Sequence, residues 1–251
     1  FKPLTEDFMR IYSAHNHAYF KIDAIFSSLI DSLNNHPSGT YQFEDMEVTV
    51  TPPDTFSFPK NFEISFIPSR ADTVSGSLEG SISDHYTTPG CLLVVDFIDY
   101  VYNSYVIEGR DSIKYLTAPL DPPTYELNST NGRMYPQGSR SSDTSLFSYN
   151  QLVEMHYAND AFMKIPGGSA EIVKDSSSAI LWVSENYPLL RDFDCDYFKD
   201  GVLKCSVFDH NQDLIGEGSL DYGYPDMISC DNKVYIVIQA STYYLEYVYE
   251  I

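Results

Sequence analysis

Acidic side chains at alternating positions form the first candidate for metal chemistry. Asp192, Asp194 and Asp196 lie two residues apart, so on one strand their carboxylates project from the same face. Ca²⁺ takes hard oxygen ligands of this kind, and a cation would offset the repulsion among the like charges. A solvated acidic face explains the pattern without any ion, and we favour it in so acidic a chain. We therefore predict no bound metal and no cofactor.

A second acidic segment copies the first half of a calcium-binding loop. Asp209, Asn211 and Asp213 have the spacing of the first ligands of such a loop. Leu214, however, stands where the sharp turn needs glycine, and Leu220 stands where a bidentate glutamate belongs. The segment is therefore predicted to be the loop of a hairpin.

The C-terminal strand is rich in tyrosine, with Tyr243, Tyr244, Tyr247 and Tyr249 close together. Tyrosine suits a half-wet sheet surface, where the ring packs and the hydroxyl meets water. The rings are candidates for a ligand-binding platform. A structural stack across strands is the interpretation that we favour.

The sequence offers no catalytic motif. Ser77 lies one position too early in 76–80 for the Gly-x-Ser-x-Gly turn of hydrolases, and no phosphate-binding Gly-x-x-x-x-Gly-Lys segment occurs. His15 and His17 would point about 200° apart on a helix and cannot share a metal. His15 falls on the apolar stripe of that helix, so we predict a hydrogen-bonded core residue. We assign no catalytic residue and favour a protein without enzymatic activity.

The charge balance excludes several classes of partner. The chain has 251 residues, with 15 Lys and Arg against 36 Asp and Glu, which gives a formal net charge of −21. A nucleic-acid binder needs a surplus of cations to neutralise phosphates, and an anionic membrane surface repels such a chain for the same reason. Hydrophobic residues make up 43% of the sequence, which is enough for a sizeable core.

One long N-terminal helix is the clearest element, and it defines a first segment, residues 1–40. Thr5 is positioned to cap it, and Glu6 and Asp7 follow in the first turn. Breakers after Asn34 are predicted to end it. Its apolar stripe comprises Phe8, Ile11, Tyr12, His15, Tyr19, Ile22, Phe26, Leu29 and Leu33.

Beyond residue 41 the apolar period changes to two, which predicts short strands. A proline-rich stretch, 117–123, separates two β-rich halves, 41–117 and 124–251. Asp200 and Gly201 predict a tight hairpin between strands at 192–198 and 202–208. We therefore expect a mainly β protein, with antiparallel sandwich or barrel-like sheets in two halves and the helix packed on a sheet.

Four cysteines give an even count without any Cys-x-x-Cys spacing, so neither a zinc knuckle nor a thioredoxin-like pair is indicated. One or two disulfides in an oxidising compartment, or four buried thiols, are both compatible with this pattern.

Several ordered segments over residues 58–240 together resemble a group of exported lipoproteins of Bacteroides and related Bacteroidota. The resemblance implies an acylated cysteine and signal peptide upstream of Phe1, attachment to the cell envelope and a β-rich body with a helical N-terminal segment. It brings no assigned activity, and it implies a Cys195–Cys230 disulfide. The segments that carry it are Phe58-Pro59-Lys60, 76–83, Pro89-Gly90 before 92–97, Asp99-Tyr100, Asn103, Glu108-Gly109, 189–195, Tyr197-Phe198, Gly201, Asp221-Tyr222-Gly223 and Cys230-Asp231-Asn232.

The chain departs from that group at positions where the group often has glycine or basic residues. Ile67-Pro68 replaces a glycine after the first strand, and Ser77 and Glu79 stand where basic residues are common. A function that depends on those basic positions is not expected here.

These observations predict an exported, lipid-anchored envelope protein, periplasmic or on the outer-membrane surface, that binds a partner protein or a glycan. Its only membrane association would be through the upstream anchor, and it would bind no nucleic acid. Two alternatives stay open. One is a hydrolase whose site is assembled only in the fold. The other is an adhesive or assembly subunit that pairs strands edge to edge.

Overall fold

A computed structural model describes most of the chain and shows a mainly β protein with one N-terminal helix. The described residues are 2–32, 39–43, 45–53, 57–67, 74–86, 88–117, 122–139, 143–156, 162–192, 195, 198–223, 233–240 and 244–250.

The helix α1 spans Lys2–Ser32. It begins before the predicted cap at Thr5, because Pro3 is compatible with the first turn of a helix, where its missing N–H needs no partner. The described part of the helix extends to Ser32, and the predicted end near Asn34 lies outside the described residues.

Most of the helix side chains that the structure describes are buried. Only a narrow polar stripe of the described side chains is partly exposed, and its members recur at helical spacing. These partly exposed residues are Glu6, Arg10, Ser13, His17 and Lys21. The buried ones are Leu4, Asp7, Phe8, Met9, Ile11, Tyr12, Ala14, His15, Ala18, Tyr19, Ile22 and Ile25.

Within the described residues, fifteen strands follow the helix, and alternation of buried and exposed residues marks most of them. They are β1 Thr40–Phe43, β2 Met46–Thr51, β3 Lys60–Phe66, β4 Val74–Ile82, β5 Leu92–Tyr102, β6 Tyr105–Tyr115, β7 Thr124–Pro136, β8 Ser145–His156, β9 Phe162–Lys174, β10 Ser177–Val183, β11 Leu189–Asp192, β12 Val202–Phe208, β13 Leu214–Asp221, β14 Lys233–Gln239 and β15 Tyr244–Glu250.

The strands form one large antiparallel sheet in which neighbours along the chain are, with one exception, neighbours in space. β11 pairs with β9 instead, and β12 therefore lies beside β10. The described sheet is open, because β1 and β15 are its two ends. β6 pairs with β7, so the sheet continues across the stretch 117–123 that separates the two predicted halves.

The hairpin predicted at Asp200 and Gly201 is wrong. β12 pairs with β10 and β13, whereas the preceding strand β11 ends at Asp192 and pairs with β9. Gly201 has a positive φ of 112°, but Asp200 is not in the left-handed region. Asp200 forms an isolated antiparallel bridge with Leu190 of β11, and the pair makes a bend before β12 and not the loop of a hairpin.

A buried polar cluster joins α1 to the middle of the sheet. Asp111, Ser129 and Tyr149 are direct cross-strand neighbours on β6, β7 and β8. The Nδ1 atom of His15 lies 2.8 Å from Asp111 Oδ2 and 2.8 Å from the Tyr149 hydroxyl, which itself donates to Asp111 Oδ2 over 2.8 Å. His15 is 3% exposed. The prediction that His15 is a hydrogen-bonded core residue is therefore confirmed.

Burial and the neighbouring Asp111 carboxylate raise the pKa of Tyr149 well above its usual value. The tyrosine therefore stays a hydrogen-bond donor to the carboxylate, which needs such donors because it is removed from water.

A second buried carboxylate fixes the N-terminal part of the helix. Asp7 accepts hydrogen bonds from Ser145 Oγ at 2.7 Å and from Lys174 Nζ at 2.8 Å. Arg10 Nη1 lies 3.0 Å from the other oxygen of the same carboxylate.

The described residues contain no helix with the length and apolarity that a membrane crossing requires.

We expect Asp111→Ala to lower the free energy of unfolding by about 3 kcal/mol, because it removes the buried acceptor that His15 and Tyr149 share. Asp45→Ala is the matched control, since Asp45 pairs with Lys21 at the surface, and it should cost less than about 1 kcal/mol. Urea denaturation of both variants measures the difference. Equal losses would contradict the anchoring role of the buried cluster.

Candidate functional site

A groove of about 660 Å³ opens on the outer face of β2 to β6, the face turned away from α1. Two adjacent cross-strand rows of side chains border it, and we call it the outer groove. The first row has Thr49, Glu63, Glu79, Asp96 and Arg110 opposite one another in register. The second row has Thr51, Asn61, Ser81 and Val94.

Gly80, between Glu79 and Ser81 on β4, allows close packing on the core side of the sheet behind the groove. A Cβ atom at Gly80 would lie 2.0 Å from the Val94 carbonyl oxygen and 2.6 Å from the ring of Phe62, which is buried in the core. Only glycine therefore allows the Phe62 ring and the backbone of β5 to come so close. On the outer face, the apolar member of the two rows is Val94.

The first row carries an excess of negative charge. Arg110 forms a bidentate pair with Asp96, with distances of 2.7 Å and 2.8 Å between their nitrogen and oxygen atoms. These hydrogen bonds raise the pKa of Arg110. Glu79 is the direct neighbour of Asp96 on one side and of Glu63 on the other, so the row has three carboxylates for one cation.

The chemistry available in the outer groove is hydrogen bonding. Carboxylates accept, guanidinium donates, and hydroxyl and amide groups do both. Within the part of the chain that the structure describes, no group of three or more His, Cys, Asp or Glu residues is arranged to hold a metal ion.

Sequence reasoning missed the outer groove. The outward position of each acid follows from alternation within its own strand, but the row appears only when the strands are placed in register.

Sequence reasoning also missed Trp182, the single tryptophan of the chain. It lies on the outer face of β10 between Ser169 and Lys204, and it is 39% exposed.

The predicted acidic sites have different outcomes. β11 ends at Asp192, whose Oδ1 atom lies 2.5 Å from Lys199 Nζ. Asp194 and Asp196 lie outside the described residues, so the calcium candidate formed by these three acids stays untested.

The loop at Asp209 is a hairpin loop between β12 and β13, as predicted. The Asp209 carboxylate accepts hydrogen bonds from the backbone N–H groups of Asn211, at 2.8 Å, and Asp213, at 3.0 Å. These bonds, with that of Asp213 the largest cause, lower the pKa of Asp209.

The tyrosines of β15 do not share one face. Tyr244 is 60% exposed and its hydroxyl donates to Glu246 over 2.9 Å, whereas Tyr247 and Tyr249 pack against the core. Tyr249 also lies beside Arg10 of the helix, whose guanidinium carbon is 6.0 Å from the ring centre. Tyr243 lies outside the described residues. The described tyrosines therefore lie on two faces of β15, and their role in ligand binding stays a prediction.

The cysteines divide into two kinds. Cys195 is disulfide-bonded, whereas Cys91 and Cys205 are buried free thiols. Burial raises the pKa of the Cys205 thiol to about 11 and also raises that of Cys91. Cys230 lies outside the described residues, so its pairing with Cys195 stays a prediction.

Comparison of the chain with descriptions of protein families, with curated proteins and with solved structures found no significant match.

We expect iodoacetamide to leave Cys91 and Cys205 of the native protein unmodified at about pH 8, because buried thiols with raised pKa form little thiolate. In guanidinium without reductant, both should react while Cys195 and Cys230 do not. Mass spectrometry of the peptides identifies the modified residues. Modification of Cys230 without reductant would contradict the predicted disulfide.

We expect Tyr247→Ala to cost about 2 to 3 kcal/mol of stability, because its ring packs against the core. Tyr244→Ala, on the exposed face of the same strand, should change stability by no more than about 0.5 kcal/mol. Thermal or urea denaturation separates the two. A larger loss for Tyr244→Ala would show that the faces of β15 are reversed.

Proposed function

We propose that the protein is a non-enzymatic binding module that holds a neutral glycan in the outer groove. The observation that carries this proposal is the pair of cross-strand rows, which presents hydroxyl, amide, carboxylate and guanidinium groups together with the apolar side chain of Val94. Sugars have the complementary surface, with hydroxyls at the edges and C–H groups on the ring faces.

The charge of the groove favours a neutral ligand. Glu63, Glu79 and Asp96 repel phosphates and acidic sugars, and the guanidinium of Arg110 is already engaged by Asp96. Carboxylates accept strong hydrogen bonds from sugar hydroxyls, and these bonds need no charge on the ligand. Val94 supplies apolar contact for a ring face.

The same carboxylates are poorly suited to hydrolysis. A glycosidase needs one carboxyl group that is sheltered from water, so that it stays protonated and can act as an acid. Glu63 and Glu79 are both exposed on the outer face. This favours binding over the alternative of a hydrolase.

We further propose that this binding takes place at the cell envelope, with the chain exported and held by a lipid anchor upstream of Phe1. The resemblance to exported lipoproteins supports this location. A partner protein of the envelope is the other ligand that the resemblance allows. In the proposed division into halves, the outer groove belongs to 41–117 and Trp182 belongs to 124–251.

A second candidate, a subunit that associates through strand edges, has one observation in its favour. β15 is an end strand of the described sheet, and Tyr244 and Val248 on it are exposed. Natural proteins protect such edges with charges or proline, and β15 has no lysine or proline but carries the exposed acids Glu246 and Glu250. Concentration-dependent association would favour this candidate, and a monomer at high concentration would exclude it.

We expect at least one polymer from a panel of soluble neutral polysaccharides, namely dextran, mannan, xylan and β-glucan, to bind. Asn61→Ala combined with Arg110→Ala should weaken that binding roughly tenfold, because it removes groups that hydrogen-bond the ligand. Isothermal titration calorimetry measures the affinity.

Glu217→Gln, an exposed substitution on β13 outside the groove, is the matched control and should bind as the unmodified protein does. Absence of binding to every polymer, or equal affinity of the groove variant and the control, would contradict the proposal. Release of reducing ends from a bound polymer would favour the hydrolase.

A further inference from the structure

The second row of the outer groove continues far beyond the groove. Val94 on β5 is opposite Ser112 on β6, and the same register then passes through three more strands to β10. We call this continuation the neutral track. Its members in order are Val94, Ser112, Asn128, Asn150, Ser169 and Trp182.

The neutral track carries no ionised side chain, although the protein is strongly acidic. From Thr51 on β2 to Trp182 on β10, nine consecutive cross-strand positions are hydroxyl, amide, valine or tryptophan. The adjacent row on the same face contains Glu63, Glu79 and Asp96. The absence of charge is therefore a property of this one row and not of the whole outer face.

The middle of the track is ordered by its own hydrogen bonds. Asn150 Nδ2 donates to Asn128 Oδ1, and it also lies 3.4 Å from a carboxylate oxygen of Glu126. These contacts fix the orientation of both amides, which direct their remaining donor and acceptor groups to the surface. The track therefore presents a fixed sequence of hydrogen-bonding groups.

The track ends at an aromatic ring. Trp182 is exposed on the outer face, and the next position in the row, Lys204 on β12, is charged. An exposed indole is a large apolar surface with a polar edge, and it is suited to stack on the C–H face of a sugar ring while hydroxyl and amide neighbours bond the ring's edge.

The spacing of strands suits a polymer that crosses them. Adjacent strands lie about 4.8 Å apart, so the five steps from Val94 to Trp182 cover about 24 Å. One step is comparable to the advance of one pyranose along an extended chain. A polysaccharide that leaves the outer groove along this row would place about one sugar over each strand.

We propose that the ligand is an extended, neutral polysaccharide that runs across the strands along the neutral track, from the outer groove to a stacking contact on Trp182. This inference rests on the proposed function and makes it more specific, since it requires a polymer where the groove alone would accept a short oligosaccharide. An acidic polymer does not fit, because the track contains no cation and the net charge is −21.

The chain supplies its own probe, because Trp182 is the only tryptophan. Dextran, mannan, xylan and β-glucan are titrated while tryptophan emission is recorded. A polymer that binds should shift the emission to shorter wavelength as the indole leaves water. Trisaccharides of the same sugar should fill the groove without shifting it.

Trp182→Ala should weaken polymer binding about tenfold, measured by calorimetry, and leave trisaccharide binding unchanged. Ile180→Ala is the matched control: Ile180 is on the same strand and face, with 38% exposure against 39% for Trp182, but in the adjacent row. It should leave polymer binding unchanged.

The outcomes separate the two proposals. One outcome is that a polymer binds and that the groove variant, Asn61→Ala with Arg110→Ala, binds it more weakly, while the tryptophan emission does not shift and Trp182→Ala binds normally. This outcome would contradict binding along the neutral track and would support binding in the outer groove. If Ile180→Ala weakens binding as much as Trp182→Ala, a general apolar surface replaces the track. If no polymer binds at all, both proposals fail.

Discussion

The structure depends on the burial of one helix against one face of a very large sheet. An antiparallel meander of this size has an apolar face that must be covered, and α1 is the element that covers it. Apolar contact alone does not fix the position of a helix along its axis. The pairs between His15 and Asp111 and between Asp7 and Lys174 supply that position, because buried carboxylates tolerate few arrangements.

A covered inner face determines where function can lie. Of the described helix side chains, those facing the sheet are buried, and only the stripe that includes Arg10 and Lys21 is partly open. The outer face, in contrast, carries partly or fully exposed side chains on most of the described strands, and each hairpin fixes the register of its two strands. The register of the strands therefore places Thr49 and Arg110, which are distant in sequence, in one groove.

The sequence was informative where a single element decides the answer. The apolar stripe through Phe8 and His15 predicted both the helix and the hydrogen-bonded burial of the histidine. The hairpin loop at Asp209 was likewise predictable, because Leu214 stands where a calcium-binding loop needs glycine. Properties that join several strands were not predictable. The turn signal at Asp200 was misleading because β11 turns back to β9, and the outer groove and the neutral track exist only in a register that periodicity does not fix.

We propose that the helix stays in place while the outer face binds the ligand. Hydrogen–deuterium exchange, with and without a bound neutral polysaccharide, distinguishes the two faces of the sheet. We expect amides of residues 8–22 to exchange as slowly as those of β5 to β8 in both states, and we expect the ligand to slow exchange in β2 to β6. Rapid exchange in α1, or protection by ligand confined to α1 and the inner face, would contradict this proposal.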